Sequence, residues 1–170
     1  QLAWLRRAGE VRRLVFMGAG GPTHNLREVD VALDVMAKEG GIGPRHVLVS
    51  TVGPAAAIER IAALGRKVTL AVSLHALEQD LRGDLIPSQS HVEPSSLLDA
   101  ADAYAAASGR PYQVEYVLLG GRNDSIAQAT ELGLALQGRR AHMSLIPWNA
   151  VDEVDYASPA PGAAEAFRDT

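Results

Sequence analysis

Short apolar runs rich in β-branched residues alternate five times with longer alanine- and leucine-rich stretches, and this alternation restricts the fold more than any other feature. The strand candidates are residues 13–17, 46–50, 67–74, 111–119 and 141–146. The run 67–74 is almost continuously apolar, which suits a parallel strand covered on both faces. Between the strands, residues 26–39 place Val29, Ala32, Leu33, Val35 and Met36 on one helical face. Asn25 can cap the start of that helix, and Gly40-Gly41 can end it. Further helices are predicted at 54–64, 77–85, 93–108 and 125–137, with Gly65 and Gly109 as stops. Residues 147–162 read as a proline-rich loop, and 163–170 as the first turns of an unfinished helix. Five strand-then-helix units predict a parallel α/β fold. Right-handed crossovers of this kind close into a complete or partial barrel. With 170 residues and no internal repeat, low-complexity tract or linker, the expected organisation is one domain, 1–170.

Charge and composition narrow the function. The formal net charge is −4. A module built only to grip nucleic acid is usually basic, because phosphate contacts dominate such binding. The chain holds no cysteine, which excludes disulfides, cysteine-zinc sites and cysteine-held iron–sulfur clusters within these residues. No apolar run approaches the roughly 18–20 residues of a membrane span. The N-terminal residues Gln1 to Arg7 lack the pattern of a signal peptide. Both ends read as cuts in a longer sequence.

In parallel α/β folds the chemistry collects at the C-terminal ends of the strands. Here those ends are residues 18–25, 50–53, 73–76, 120–124 and 147–149. Gly18-Ala19-Gly20-Gly21-Pro22 lets the backbone approach a ligand, or is simply a tight turn. It lacks the spacing of a dinucleotide fingerprint. Ser50-Thr51-Val52-Gly53 offers hydroxyls to a polar ligand or to the next helix start. Ser73-Leu74-His75-Ala76 carries a serine and a histidine that strand alternation would point to the same side. No nucleophile elbow accompanies them, which argues against a Ser-His hydrolase. Glu115 stands in an otherwise apolar strand, where burial is costly unless it is paired; it faces either a barrel interior or a solvated edge. Asn123-Asp124 reads as a turn and helix cap. Trp148-Asn149 follows Pro147 and could stack on and bond an adenine or ribose, or form a plain loop.

Taken in order, the series is more specific than its parts. Val15-Phe16-Met17-Gly18-Ala19-Gly20-Gly21-Pro22, Val49-Ser50-Thr51-Val52-Gly53, Leu70-Ala71-Val72-Ser73-Leu74-His75-Ala76, Val114-Glu115-Tyr116-Val117-Leu118, Asn123-Asp124-Ser125 and Leu145-Ile146-Pro147-Trp148-Asn149 together resemble the RlmN/Cfr family. The resemblance covers nearly the whole chain. It implies a radical-SAM enzyme that methylates adenine in RNA, at C2 for a 23S rRNA adenine and for some tRNAs. It also implies a partial parallel (βα) barrel of radical-SAM type, here five βα units without the cluster-bearing first strand. The family uses S-adenosylmethionine and a 4Fe–4S cluster held by a Cys-x-x-x-Cys-x-x-Cys loop. A cysteine near the C-terminus relays the methyl carbon. The resemblance places the S-adenosylmethionine contacts on Gly20, Gly21, Ser50, Ser73, Leu74, His75 and Asn149. A cytoplasmic monomer acting on RNA, with no membrane, is the implied setting.

Departures from the family accompany the resemblance. The cluster cysteines and the methyl-carrying cysteine have no counterparts in these residues. The family's Gly-Met-Gly-Glu-Pro loop reads Gly18-Ala19-Gly20-Gly21-Pro22, so Gly21 replaces a glutamate that helps hold the ligand's amino group. Loss of one such charge-assisted bond costs about 1.5–3 kcal/mol. Pro87-Ser88-Gln89-Ser90 replaces Pro-Ile-Asn-Arg and removes a basic residue that could face RNA. The expectation is a fragment of a radical-SAM RNA methyltransferase that is inactive alone. The alternative is a diverged, non-catalytic homologue that binds S-adenosylmethionine or a partner.

Overall fold

A computed structural model describes residues 1–17, 21–152 and 154–170. A short helix, α1 (Leu2–Leu5), precedes β1 (Leu14–Phe16). Then follow α2 (Leu26–Lys38), β2 (Val47–Thr51), α3 (Ala55–Ala63), β3 (Thr69–Ser73), α4 (Gln79–Leu85), α5 (Pro94–Ser108), β4 (Tyr112–Leu118), α6 (Ile126–Leu136), β5 (Ala141–Pro147) and α7 (Ala163–Asp169). The five strands form one sheet in the order β1-β2-β3-β4-β5, and every neighbouring pair is parallel. Right-handed crossovers between strands in sequential order put every helix on the same face. One face is therefore packed and the other is open, which is the geometry of a partial (βα) barrel.

Register separates the two faces, because partners in a parallel ladder point the same way and neighbours along a strand alternate. Val49, Leu70, Val72, Val114, Tyr116 and Leu118 lie on the packed face and are buried with Ile58, Ile61, Leu97, Leu98 and Leu132 from the helices. The opposite, concave face carries Ser50, Ala71, Ser73, Gln113, Glu115 and Ser144, joined by the pairs Ser50↔Ala71, Ala71↔Gln113, Ser73↔Glu115 and Glu115↔Ser144. Truncating a core leucine such as Leu97 or Leu98 costs about 2–5 kcal/mol in cores of this kind. The concave face is polar, so it adds little apolar burial.

The helix ends follow local chemistry. Ser125 caps α6 in a full capping box with Gln128. Gly109, with φ of 72°, closes α5 in the left-handed conformation that favours glycine. Asn25, predicted to cap α2, makes no side-chain cap bond. A one-turn 3-10 helix, Pro22–Asn25, runs directly into α2 and removes the free helix start that a cap would serve. The stretch after β5 is more ordered than its composition suggests. It folds back so that Gly120 N–H donates to Ala157 O at 2.8 Å. A Cβ on Gly120 would run into the carbonyl of Ser158, which requires glycine at this crossing.

Candidate functional site

Three strands deliver one polar cluster to the concave face. The Ser50 hydroxyl on β2 and the Ser73 hydroxyl on β3 each donate to Oε2 of Glu115 on β4, both at 3.1 Å. The two hydroxyl oxygens are themselves 3.3 Å apart. Glu115 is only 3% exposed. Register alone accounts for the meeting, since Ser73 and Glu115 are direct ladder partners and Ser50 lies on the adjoining strand. The choice left open by the sequence is thereby decided: Glu115 faces the barrel interior, not a solvated edge.

The direction of His75, two residues beyond Ser73, is set in a different way. Strand alternation does not set its direction, because β3 ends at Ser73 and His75 takes φ of 63°. A non-glycine residue in the left-handed region must be held there by its surroundings. Asn123 holds it: Nδ2 donates to His75 O and to Val117 O, both at 2.8 Å, and Oδ1 accepts from Leu119 N at 2.7 Å. The His75 ring is held in turn by Val117 N–H, which donates to Nδ1 at 3.1 Å. A neutral ring accepting at Nδ1 carries its proton on Nε2. Burial, and secondarily the charge of Arg82, lower the imidazole from its usual range to about 4. His75 is thus a fixed donor at Nε2, not an acid–base group at neutral pH.

This predicts a pH signature. An unfolded His75 takes up its proton near pH 6.5, but the folded residue does so only near pH 4. Stability from this group is complete above pH 6.5 and falls as the pH drops from 6.5 towards 4, by up to about 3 kcal/mol. The slope of urea-unfolding free energy against pH in that window is the measurement. His75→Asn, which tolerates the left-handed backbone, should flatten it; an unchanged slope would assign it to other groups.

Beneath the two strand ends lies Arg82 of α4, with no solvent exposure. Its Nε donates to Leu74 O at 3.0 Å, and its Nη2 donates to Val52 O at 2.6 Å and Ser73 O at 3.3 Å. It therefore ties the loop after β2 to the loop after β3. Arg82 and Asn123 are the residues that sequence reasoning missed. Arg82 sits in a short helix without a motif, and Asn123 carries the chemistry of an ordinary turn.

The other candidate residues are distributed as follows. Leu74 is buried behind the cluster, and its N–H donates to Glu115 O at 2.9 Å. Gly21 starts the 3-10 turn at φ of −65°. Gly20 lies outside the described residues. Asn149 is exposed, two residues past β5 at the same end of the sheet, and bonds none of the other candidates among the described residues. Trp148 and Tyr156 form a T-shaped pair, with ring centroids 6.0 Å apart.

A sequential parallel sheet with helices on one face and polar groups at its C-terminal rim defines a partial barrel of the radical-SAM class. A radical SAM methyltransferase from Sphaerobacter thermophilus superposes with a TM-score of 0.91 at 34% identity, over 99% of this chain and 50% of that one. A domain of pyruvate-formate lyase-activating enzyme from Bacteroides vulgatus shares the fold at a TM-score of 0.67 and 16% identity. Among curated relatives, a probable dual-specificity RNA methyltransferase RlmN from Rhodopirellula baltica is 45% identical over 157 residues, 91% of this chain and 42% of the relative. One of the same name from Rippkaea orientalis is 44% identical over 157 residues, 92% of this chain and 46% of the relative. No family model matches the chain. The chain belongs to the RlmN-type radical-SAM methyltransferase family, and it spans slightly under half the length of these relatives.

Membership implies S-adenosylmethionine and a 4Fe–4S cluster for the family, and the residues here fit the two differently. The hydroxyl–carboxylate cluster and the His75 donor suit a polar, positively charged nucleoside ligand. The cluster does not fit. The chain contains no cysteine, and among the described residues no group of three His, Cys, Asp or Glu side chains is placed to hold a metal ion. No helix among them is long and apolar enough to cross a membrane.

Proposed function

We propose that this chain is the S-adenosylmethionine-binding barrel, one domain over residues 1–170, of a radical-SAM enzyme that methylates RNA adenine at C2. The substrate under this reading is 23S rRNA, and tRNA with it. The setting is a cytoplasmic monomer. The observation that carries the reading is the cluster of Ser50, Ser73 and Glu115 on the concave face, flanked by His75. Ser50, Ser73 and His75 are among the positions that the family resemblance assigns to the ligand. The relatives from Rhodopirellula baltica and Rippkaea orientalis, probable RNA methyltransferases, support the RNA part.

S-adenosylmethionine, when bound, supplies the methyl group. This chain's residues bind and orient it. The hydroxyls of Ser50 and Ser73 give and accept hydrogen bonds and Nε2 of His75 gives one, while the family resemblance assigns further contacts to Gly20 and Gly21. Asn149, two residues past β5, bonds the nucleoside end under this reading. The cysteine chemistry of the family has no residues here, so the chain by itself is expected to bind ligand and not to transfer methyl groups. A second reading, a diverged homologue that binds without chemistry, is favoured by Gly21 standing where the family has glutamate.

Titration calorimetry with S-adenosylmethionine tests the proposal, and Gly21→Glu sharpens it. A Cβ at Gly21 meets nothing closer than Thr23 Oγ1 at 3.5 Å, so a side chain fits. The restored carboxylate should tighten binding by about threefold to tenfold, a solvent-screened fraction of a full charge-assisted bond. Equal or weaker affinity in the variant would remove Gly21 from the ligand site and favour the non-catalytic reading.

A further inference from the structure

Glu115 is a buried carboxyl whose only hydrogen-bond partners among the described residues are two neutral hydroxyls. Both donate to the same oxygen, Oε2. The other, Oε1, has no partner among those residues. The three oxygens of Ser50, Ser73 and Glu115 stand 3.1, 3.1 and 3.3 Å apart, yet the serines bring only two hydroxyl hydrogens. One edge of the triangle therefore sets oxygen lone pairs against each other. Glu115 takes part in none of the ion pairs among the described residues. Arg82, the buried cation nearby, directs Nε and Nη2 to the Val52, Ser73 and Leu74 carbonyls and makes no hydrogen bond or ion pair to Glu115 among the described residues.

The strand register sharpens the contrast. The concave face runs through Ser50, Ala71, Ser73, Gln113, Glu115, His142 and Ser144; no lysine or arginine is among them, and the exposed His142, across from Gln113, makes no hydrogen bond or ion pair to Glu115 among the described residues. Burying a carboxylate without a cation is costly, and folded proteins keep such groups where a ligand supplies the missing charge. The lone-pair contact points the same way, because a positive group above the triangle converts that repulsion into attraction.

We infer that Glu115 is the specificity-determining residue of this face, which reads the positive charge of an S-adenosyl ligand while Ser50 and Ser73 hold its carboxyl in place. The inference rests on the S-adenosylmethionine reading above and adds to it the residue that discriminates charged from neutral ligands. The charge has two possible sources in that ligand, the sulfonium and the amino-acid ammonium.

The test is calorimetric titration of wild type and Glu115→Gln with three probes. S-adenosylmethionine carries both charges, S-adenosylhomocysteine only the ammonium, and methylthioadenosine neither. Glu115→Gln should weaken S-adenosylmethionine about 10- to 30-fold, in the range of a lost charge-assisted bond, and methylthioadenosine less than about threefold. If S-adenosylhomocysteine is spared, the contact is to the sulfonium; if it weakens equally, the contact is to the ammonium. Equal weakening of all three probes would overturn the inference and leave Glu115 a structural residue at a valid site. Failure of wild type to bind any probe would remove the site reading itself. Should the Gln variant not fold, wild type alone still decides: no preference of at least about tenfold for S-adenosylmethionine over methylthioadenosine overturns the inference.

Discussion

Replacing Arg82 with methionine is expected to destabilise the chain by about 2–4 kcal/mol and to loosen the site without touching it. The guanidinium is fully buried and bonds Val52 O, Ser73 O and Leu74 O; its loss removes the side-chain donor from all three, although Leu74 O keeps the Ala76 N–H at 2.9 Å. Two effects oppose each other. The unsatisfied carbonyls cost about 1–3 kcal/mol each. Removing a desolvated charge returns part of that, since among the described residues Arg82 has no carboxylate partner and its Nη1 makes no hydrogen bond. The carbonyls win, because methionine fills the volume but donates no hydrogen bonds. Arg82→Lys keeps the charge but cannot span both loops with one ammonium, and should recover less than half of the loss. Urea denaturation measures both. A second readout is independent of stability: the Arg82 charge helps to lower the His75 imidazole, so the methionine variant should move it back up. A methionine variant within about 0.5 kcal/mol of wild type would mean that the carbonyls find other partners.

Asn123→Ala is expected to cost about 3 kcal/mol, and Asn123→Asp more, on the same denaturation scale. Alanine abandons three buried groups: the carbonyls of His75 and Val117 and the N–H of Leu119. Aspartate keeps the bond from Leu119 but sets an oxygen against the two carbonyls and adds a buried charge. The order of the two variants separates a side-chain clamp from simple packing, because packing alone would favour the near-isosteric aspartate. Both variants should also release His75 from its left-handed conformation, which Asn123 holds through the His75 carbonyl. The His75 ring resonances report that release directly. Aspartate milder than alanine would refute the clamp.

The five strands and the major helices were legible because each is coded locally. Period-two and period-3.6 patterns, with Gly109 and Ser125 at helix ends, survive in almost any tertiary setting. β1, β3 and β4 are shorter than their apolar runs, as with Thr69–Ser73 inside residues 67–74, because ladder bonds end before the hydrophobic pattern does, while β2 is shifted by one residue and β5 runs one residue further, to Pro147. Asn25 was misread as a cap because a proline-led turn ahead of it could not be seen in helix periodicity. The T-shaped pairing of Trp148 with Tyr156 was not legible, because it depends on the fold-back of the stretch after β5.

The site divides along the same line. The strand ends carrying Ser50, Ser73, His75 and Asn149 follow from the sequence alone, since parallel βα order puts every strand end on one rim. That these 170 residues supply no cysteine ligand is read from it too, because no tertiary structure can create a thiolate. Only the tertiary structure could decide the partners. Ser50, Ser73 and Glu115 are separated by 23 and 42 residues, and their meeting depends on ladder register, which one residue of slip would reverse. The left-handed turn at His75, the Asn123 clamp and the burial of Arg82 likewise arise from bonds to distant backbone groups, and such bonds leave no periodic trace in a sequence.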